Sequence, residues 1–206
     1  LTIEHYILAV ISTRPCTGYD IKQEFEHPGA GMYWGISFGS IYPKLKKLES
    51  EGLIETLHHE ETGRGKKVYD LTSKGWRELQ KWLKESPQPP ILKDELLIKV
   101  SFWNHVMLED REGVIPHLLK RKKETEETLA YYTNWPKNGV STISEFGMYT
   151  IQYVQKKLQA ELEWIDETIE AVKGPAKPPA QDPSNLIDKK KERIKKALEL
   201  EKSDES

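Results

Sequence analysis

"GSIYPKLKKLESEGLIETLHHEETGRGKKVYDLT", residues 39–72, decides how the first half of this chain folds. Ile41, Leu45 and Leu48 recur at helical spacing on one face, and Gly52 stands where such a helix stops. Beyond it, "LIETLHHEE" and "KKVYDLT" have strand composition and "TGRG" is a glycine-flanked turn, which predicts a two-stranded antiparallel hairpin. Pro43 is the discordant residue. It fits if it lies in the first turn, where a missing N–H breaks no intrahelical bond.

Two helices are expected upstream. "TIEHYILAVIST" repeats Ile3, Tyr6, Ile7, Val10 and Ile11 at helical spacing and should run to Arg14, ahead of Pro15. "GYDIKQEFEH" follows Thr17 as N-cap, with Ile21 and Phe25 four apart, and the glycine-rich "HPGAGMYWGIS" leads into the third helix. After the hairpin, "TSKGWRELQKWLKE" resumes the helical period with Trp76, Leu79 and Leu83, capped by Thr72 or Ser73. Three helices and a hairpin form the layout of a winged helix-turn-helix, in which the third helix enters the major groove and "HEETGRGKK" is the wing.

The proline clusters "SPQPP" (86–90) and "GPAKPPAQDP" (174–183) read as extended connectors. They divide the chain into a winged helix-turn-helix domain at 1–86, a helical domain at 91–173 and a charged helical or disordered tail at 174–206. In the middle part, "KDELLIKVSFWNHVM" is apolar on nearly every side and is expected to be buried from several directions. A helix at 111–133 follows, then one at 144–172 with Tyr153, Leu158, Leu162, Ile165 and Ile169 as a narrow stripe, the kind that pairs with another chain. The fold class expected is mainly α with a small antiparallel hairpin: an N-terminal winged helix-turn-helix plus a helical C-terminal dimerisation domain.

Composition and motifs narrow the chemistry. No apolar run approaches the ~20 residues that cross a bilayer and no secretory pattern opens the chain, so a cytoplasmic protein without membrane contact is expected. Cys16 is the only cysteine, which rules out an intrachain disulfide and a multi-cysteine zinc site. "HHEE" at 58–61 lacks metal-ligand spacing, "TGRGKK" fails the phosphate-loop pattern, and no GxSxG elbow occurs; neither cofactor nor enzyme activity is expected.

Net charge is −2, and lysine plus arginine against aspartate plus glutamate stand at 12 to 12 over 1–86, 11 to 14 over 87–173 and 8 to 7 over 174–206. No segment is globally basic, so a nucleic-acid surface has to be a local patch. Turning Ile41, Leu45 and Leu48 inward leaves Gly39, Ser40, Tyr42, Pro43, Lys46 and Lys47 outward and Lys44 at the margin. That face is basic and low in bulk at its N-terminal end, which suits a phosphate backbone. Lysine on an exposed helix is also simply a solvated face; Arg64, Lys66 and Lys67 at the wing tilt the reading toward DNA.

"YILAVISTRPCTGYDIKQEF", "GSIYPKLKKLESEGLIE", "GRGKKVYDLTSKGWRELQKWL", "KDELLIKVSF" and "SEFGMYTIQYVQKKLQAELEWIDETI" together resemble the PadR family of bacterial transcriptional regulators. The resemblance implies a homodimer with interlocked C-terminal helices, two winged heads on a pseudopalindromic double-stranded DNA operator, and repression relieved by a small aromatic effector. It implies DNA contacts by Ser37, Ser40, Tyr42, Lys44 and Lys47 on the recognition helix, by Arg64, Lys66 and Lys67 on the wing, and by Tyr19 and Lys22 on the second helix. Met148, after "EFG", stands where the phenolic-acid sensors carry a hydrogen-bonding histidine, and a thioether cannot replace that donor. The competing expectation is a winged-helix adaptor that contacts protein and has lost ligand response.

Overall fold

The computed structural model describes residues 3–26, 41–57, 67–90, 92–107 and 110–204, which form two compact units, Leu1–Ile91 and Leu92–Ser206. In the first, helices α1 (Ile3–Ile11), α2 (Gly18–Glu26) and α3 (Ile41–Ser50) precede strands β2 (Ile54–Leu57) and β3 (Val68–Leu71) and helix α4 (Ser73–Lys84). A two-residue strand, β1 (Cys16–Thr17), joins them on the far side of β3, so the hairpin is extended to a three-stranded antiparallel sheet in the order β1-β3-β2. Two residues are too few to show alternation, so β1 escapes a pattern reading.

Helix α1 stops at Ile11 rather than Arg14. The hydroxyls of Ser12 and Thr13 donate to the carbonyls of Ala9 and Val10, both at 2.7 Å, and close the last turn early. α3 buries Ile41, Leu45 and Leu48 as its spacing requires, against Ile7, Leu8, Ile11, Ile21 and Phe25. Pro43 is the third residue of α3, inside the first turn. The helix ends in a Schellman turn: Gly52 has φ +69°, its N–H reaches the Glu49 carbonyl, and Leu53 N–H reaches the Leu48 carbonyl at 2.9 Å.

That turn is tied to the start of α4. Thr72 donates its N–H to Leu53 O and its hydroxyl to Gly52 O, and accepts from Gly75 N–H as the N-cap of α4. Gly75 lies so close that a Cβ there would stand 2.0 Å from Leu53 O. This approach rotates α4: Gly75 and Leu79 are buried and Trp82 packs on the core, whereas Trp76 and Leu83 of the expected stripe are exposed.

The second unit contains α5 (Glu95–Val106), α6 (Ile115–Asn134), α7 (Glu145–Lys173) and α8 (Leu186–Asp204), the last packed against α5. α6 and α7 run antiparallel, as shown by Lys122 against Asp166, Thr125 against Glu161 and the Tyr132 carbonyl against Gln155. Leu96, Val114, Leu118, Ile165 and Ile169 form the core. Asp94 caps α5 by accepting from Leu96 and Leu97 N–H and also receives both terminal nitrogens of Arg121, at 2.8 and 2.9 Å. Arg121 reaches Glu161 at 2.9 Å as well, and Glu161 accepts from the buried Thr125 hydroxyl at 2.8 Å. One guanidinium therefore joins α6 to α7 and to the cap of α5.

Gly75→Ala should destabilise the chain by about 1–3 kcal/mol in urea unfolding, because the clash outweighs the roughly 0.8–1 kcal/mol helix-propensity gain. The Asp94 carboxyl is held below the usual carboxylate range, first by its hydrogen bonds from Arg121. A lowered folded-state value means stabilisation that is present above the unfolded-state value near 4 and lost as pH falls through the folded one. Asp94→Asn should thus cost about 1–3 kcal/mol at neutral pH, and urea melts down the pH scale should show that cost shrinking below pH of about 4.

Candidate nucleic-acid interface

The surface with α3 at its centre is built from four elements. A reciprocal box starts α2: Asp20 accepts from Thr17 N–H at 2.8 Å, and Thr17 Oγ1 accepts from Asp20 N–H at 3.2 Å. It leaves Gly18 against α3, where a Cβ would meet the Tyr42 ring at 2.9 Å. Tyr42 is consequently held across the start of α2, close to Tyr19, and both rings are more than half exposed. Together with Thr17, Lys67 and Tyr69 they line an open cleft of about 440 Å³. Three of the expected contact residues, Tyr19, Tyr42 and Lys67, are thus brought to one place from α2, α3 and the base of the wing.

The cations are less free than a helical wheel suggests. Lys44 Nζ lies 2.7 Å from Glu4 Oε1 and Lys47 Nζ 3.3 Å from the same oxygen, with Glu51 a further 3.8 Å partner for Lys47. Hydrogen bonding from Lys44, above all, pulls the Glu4 carboxyl down to about 2. On the opposite flank Lys67 pairs with Glu49 at 3.6 Å. Glu49 also accepts from the Thr56 hydroxyl at 2.6 Å, the main reason its carboxyl titrates low. Lys46 is exposed and makes no ion pair among the described residues.

Lys22 is half-buried on α2. Ser37, Ser40, Arg64 and Lys66 lie outside the described residues, as does most of the "HEETGRGKK" wing. Glu4, Glu49 and Tyr69 belong to this surface and escape a sequence reading. Glu4 is forty residues from Lys44, and no local spacing links them. Tyr69 sits on the central strand, where burial pushes its hydroxyl up. Cys16 is buried beside it in the ladder, and burial pushes its thiol up to about 11, which suits packing rather than chemistry. Among the described residues there is no group of histidine, cysteine, aspartate and glutamate able to hold a metal ion, and no helix long and apolar enough to cross a membrane.

Three helices with an antiparallel sheet, the third helix exposing a basic flank beside the base of the wing, define a winged-helix protein of the nucleic-acid-binding class. The sequence profile described as the transcriptional regulator PadR-like family matches residues 7–81, and the profile of the virulence activator alpha C-terminal region matches residues 92–173. The negative transcriptional regulator PadR of Bacillus subtilis is 31% identical over 123 residues, which cover 59% of this chain and 67% of that protein. This chain belongs to the PadR-like family of transcriptional regulators.

Solved structures agree with the fold. The PadR-like regulator BC1756 from Bacillus cereus superposes with a TM-score of 0.70 at 22% identity, covering 82% of this chain and 97% of that one. Bacillus subtilis PadR in complex with operator DNA gives 0.68 at 25% identity, covering 82% and 98%. The same regulator with p-coumaric acid gives 0.64 at 25% identity, covering 84% and 99%.

Proposed function

We propose that this chain is a cytoplasmic repressor that binds a pseudopalindromic DNA operator as a homodimer and is released by a small ligand. The observation that carries DNA binding is the convergence of Tyr19, Tyr42 and Lys67 on one cleft beside the basic flank of α3. Phenolic hydroxyls and an ammonium there can engage successive phosphates while α3 meets the groove. Support comes from the relative solved with operator DNA, whose chain is covered almost end to end. In this reading Lys22, Ser37, Ser40, Lys44, Lys47, Arg64 and Lys66 complete the contact, residues 1–86 form the DNA-binding domain, and 174–206 is an appended tail. Repression follows the negative regulation attributed to the Bacillus subtilis relative, and ligand release follows its p-coumaric acid complex.

Dimerisation we assign to 91–173, with a seam made by α5 and the start of α7 rather than by the buried part of the α7 stripe. Ile151, Val154, Leu158, Ile165 and Ile169 are buried within the chain, and α6 is the helix packed most extensively on α7. Among the exposed large apolar side chains of the second unit, Ile98, Phe102 and Val106 form a stripe on α5, and Phe146, Tyr149 and Tyr153 lie at the start of α7. The expectation that α5 is buried from several directions is unmet in one chain and is satisfied in the proposed dimer.

One observation favours the adaptor reading: Glu4 and Glu49 already engage three of the expected phosphate-binding lysines. A gel shift on the duplex upstream of the protein's own coding region decides between the two. Retardation at low salt is expected; none, from a confirmed dimer, identifies the adaptor. Lys44→Ala with Lys47→Ala should weaken binding across sequences and lower the salt slope by about one unit per lost phosphate contact, measured by titration at several salt concentrations. Phe102→Glu should convert the dimer to monomer in light scattering, with helix content retained by circular dichroism.

A further inference from the structure

Glu4 stands in the first turn of α1 and reaches across to α3, where a single carboxylate oxygen serves both Lys44 and Lys47. The carboxylate is the inner partner: its side chain is 18% exposed, against 32% for Lys44 and 53% for Lys47. The two ammonium groups are therefore drawn toward α1, along the flank of α3, while Lys46 projects into solvent from the other flank. Lysine chains are long and rotatable, so the same ammonium groups can swing outward to a phosphate without any movement of the helix. A phosphate that takes them must displace Glu4 and leave its negative charge close to the duplex. With a carboxyl value of about 2, Glu4 stays ionised throughout the neutral range.

We propose that Glu4 is a positioning residue that competes with backbone phosphate for Lys44 and Lys47 and thereby limits the affinity of α3 for DNA. The proposal rests on the DNA-binding reading above. It gives a function to a residue outside both the recognition helix and the wing: an acid on the scaffold helix that sets how much of the basic flank is offered to a duplex. Non-specific affinity, which is almost wholly electrostatic, is the quantity most strongly held down.

The test titrates a short mixed-sequence duplex with full-length wild type, Glu4→Gln, Glu4→Ala and Glu4→Asp at salt between about 50 and 200 mM. Glu4→Gln keeps the size of the side chain, and Glu4→Ala reaches the same readout if the amide is poorly tolerated; melting by circular dichroism checks that each folds. Both neutral variants should bind roughly three- to tenfold more tightly than wild type, with a salt slope steeper by about one unit for each lysine released. Glu4→Asp, which keeps the charge, should stay near wild type. In a chain that also carries Lys44→Ala and Lys47→Ala, Glu4→Gln should change binding by less than about twofold, because the competition acts through those two lysines. Equal or weaker binding by the neutral variants overturns the proposal, as does a gain undiminished in the double-alanine background. A wild type that fails to bind the duplex at low salt overturns the DNA-binding reading along with it; a wild type that binds and a Glu4→Gln that binds no tighter overturns this proposal alone.

Discussion

The first unit depends on one turn. At Gly52 and Leu53 the chain leaves α3 in a left-handed conformation, enters β2, and has its carbonyls taken by Thr72 at the head of α4. Leu53 N–H is meanwhile spent on Leu48, so this short segment links α3, the sheet and α4 by hydrogen bonds that converge on two residues. Thr72 pairs both carbonyls, that of Gly52 through its hydroxyl and that of Leu53 through its N–H. The angle between α3 and the base of the wing is thereby set by backbone geometry, which a loose side-chain contact could not do.

Around this frame the charges are contested. α3 carries lysines at 44, 46 and 47, yet acids on two sides engage cations along its length: Glu4 from α1 on one flank, and Glu49 from α3 itself, which holds Lys67, on the other. A duplex approaching this surface meets partly neutralised cations, and the local field is set by the difference between lysine and glutamate rather than by the lysine count. Tyr19 and Tyr42 add exposed hydroxyl groups to this surface, the Tyr42 ring lying against the glycine at the start of α2 and the Tyr19 hydroxyl accepting from Gln23.

The second unit follows a different economy of apolar surface. α6 and α7 consume each other's stripes, and Arg121 pins them together while also holding the cap of α5 through Asp94. α5 buries Leu96 and packs Val100 and Trp103 on this core, while Ile98, Phe102 and Val106, on a sequence apolar on nearly every side, are more than half exposed. An uncovered stripe of large side chains on a helix of this kind marks a surface that another chain can complete.

Much of the fold was written in local patterns. The 41, 45, 48 spacing, the stop at Gly52, Thr17 as a cap, a cap at Thr72 or Ser73 and Pro43 in a first turn all act within a few residues, so the sequence by itself determined the order of helices and hairpin in the winged helix. It also carried the family, through motifs spread over both units. Tertiary structure decided what depends on distant partners. Two residues at Cys16–Thr17 become a strand only because β3 lies alongside, and α4 turns its Gly75 face inward only because Leu53 O is there to be approached. Tyr19, Tyr42 and Lys67 could each be named from the sequence, but not the cleft that gathers them. Which lysine is engaged and which is offered to solvent was decided by Glu4, forty positions away from Lys44, because an ion pair obeys distance in space and leaves no spacing in the sequence.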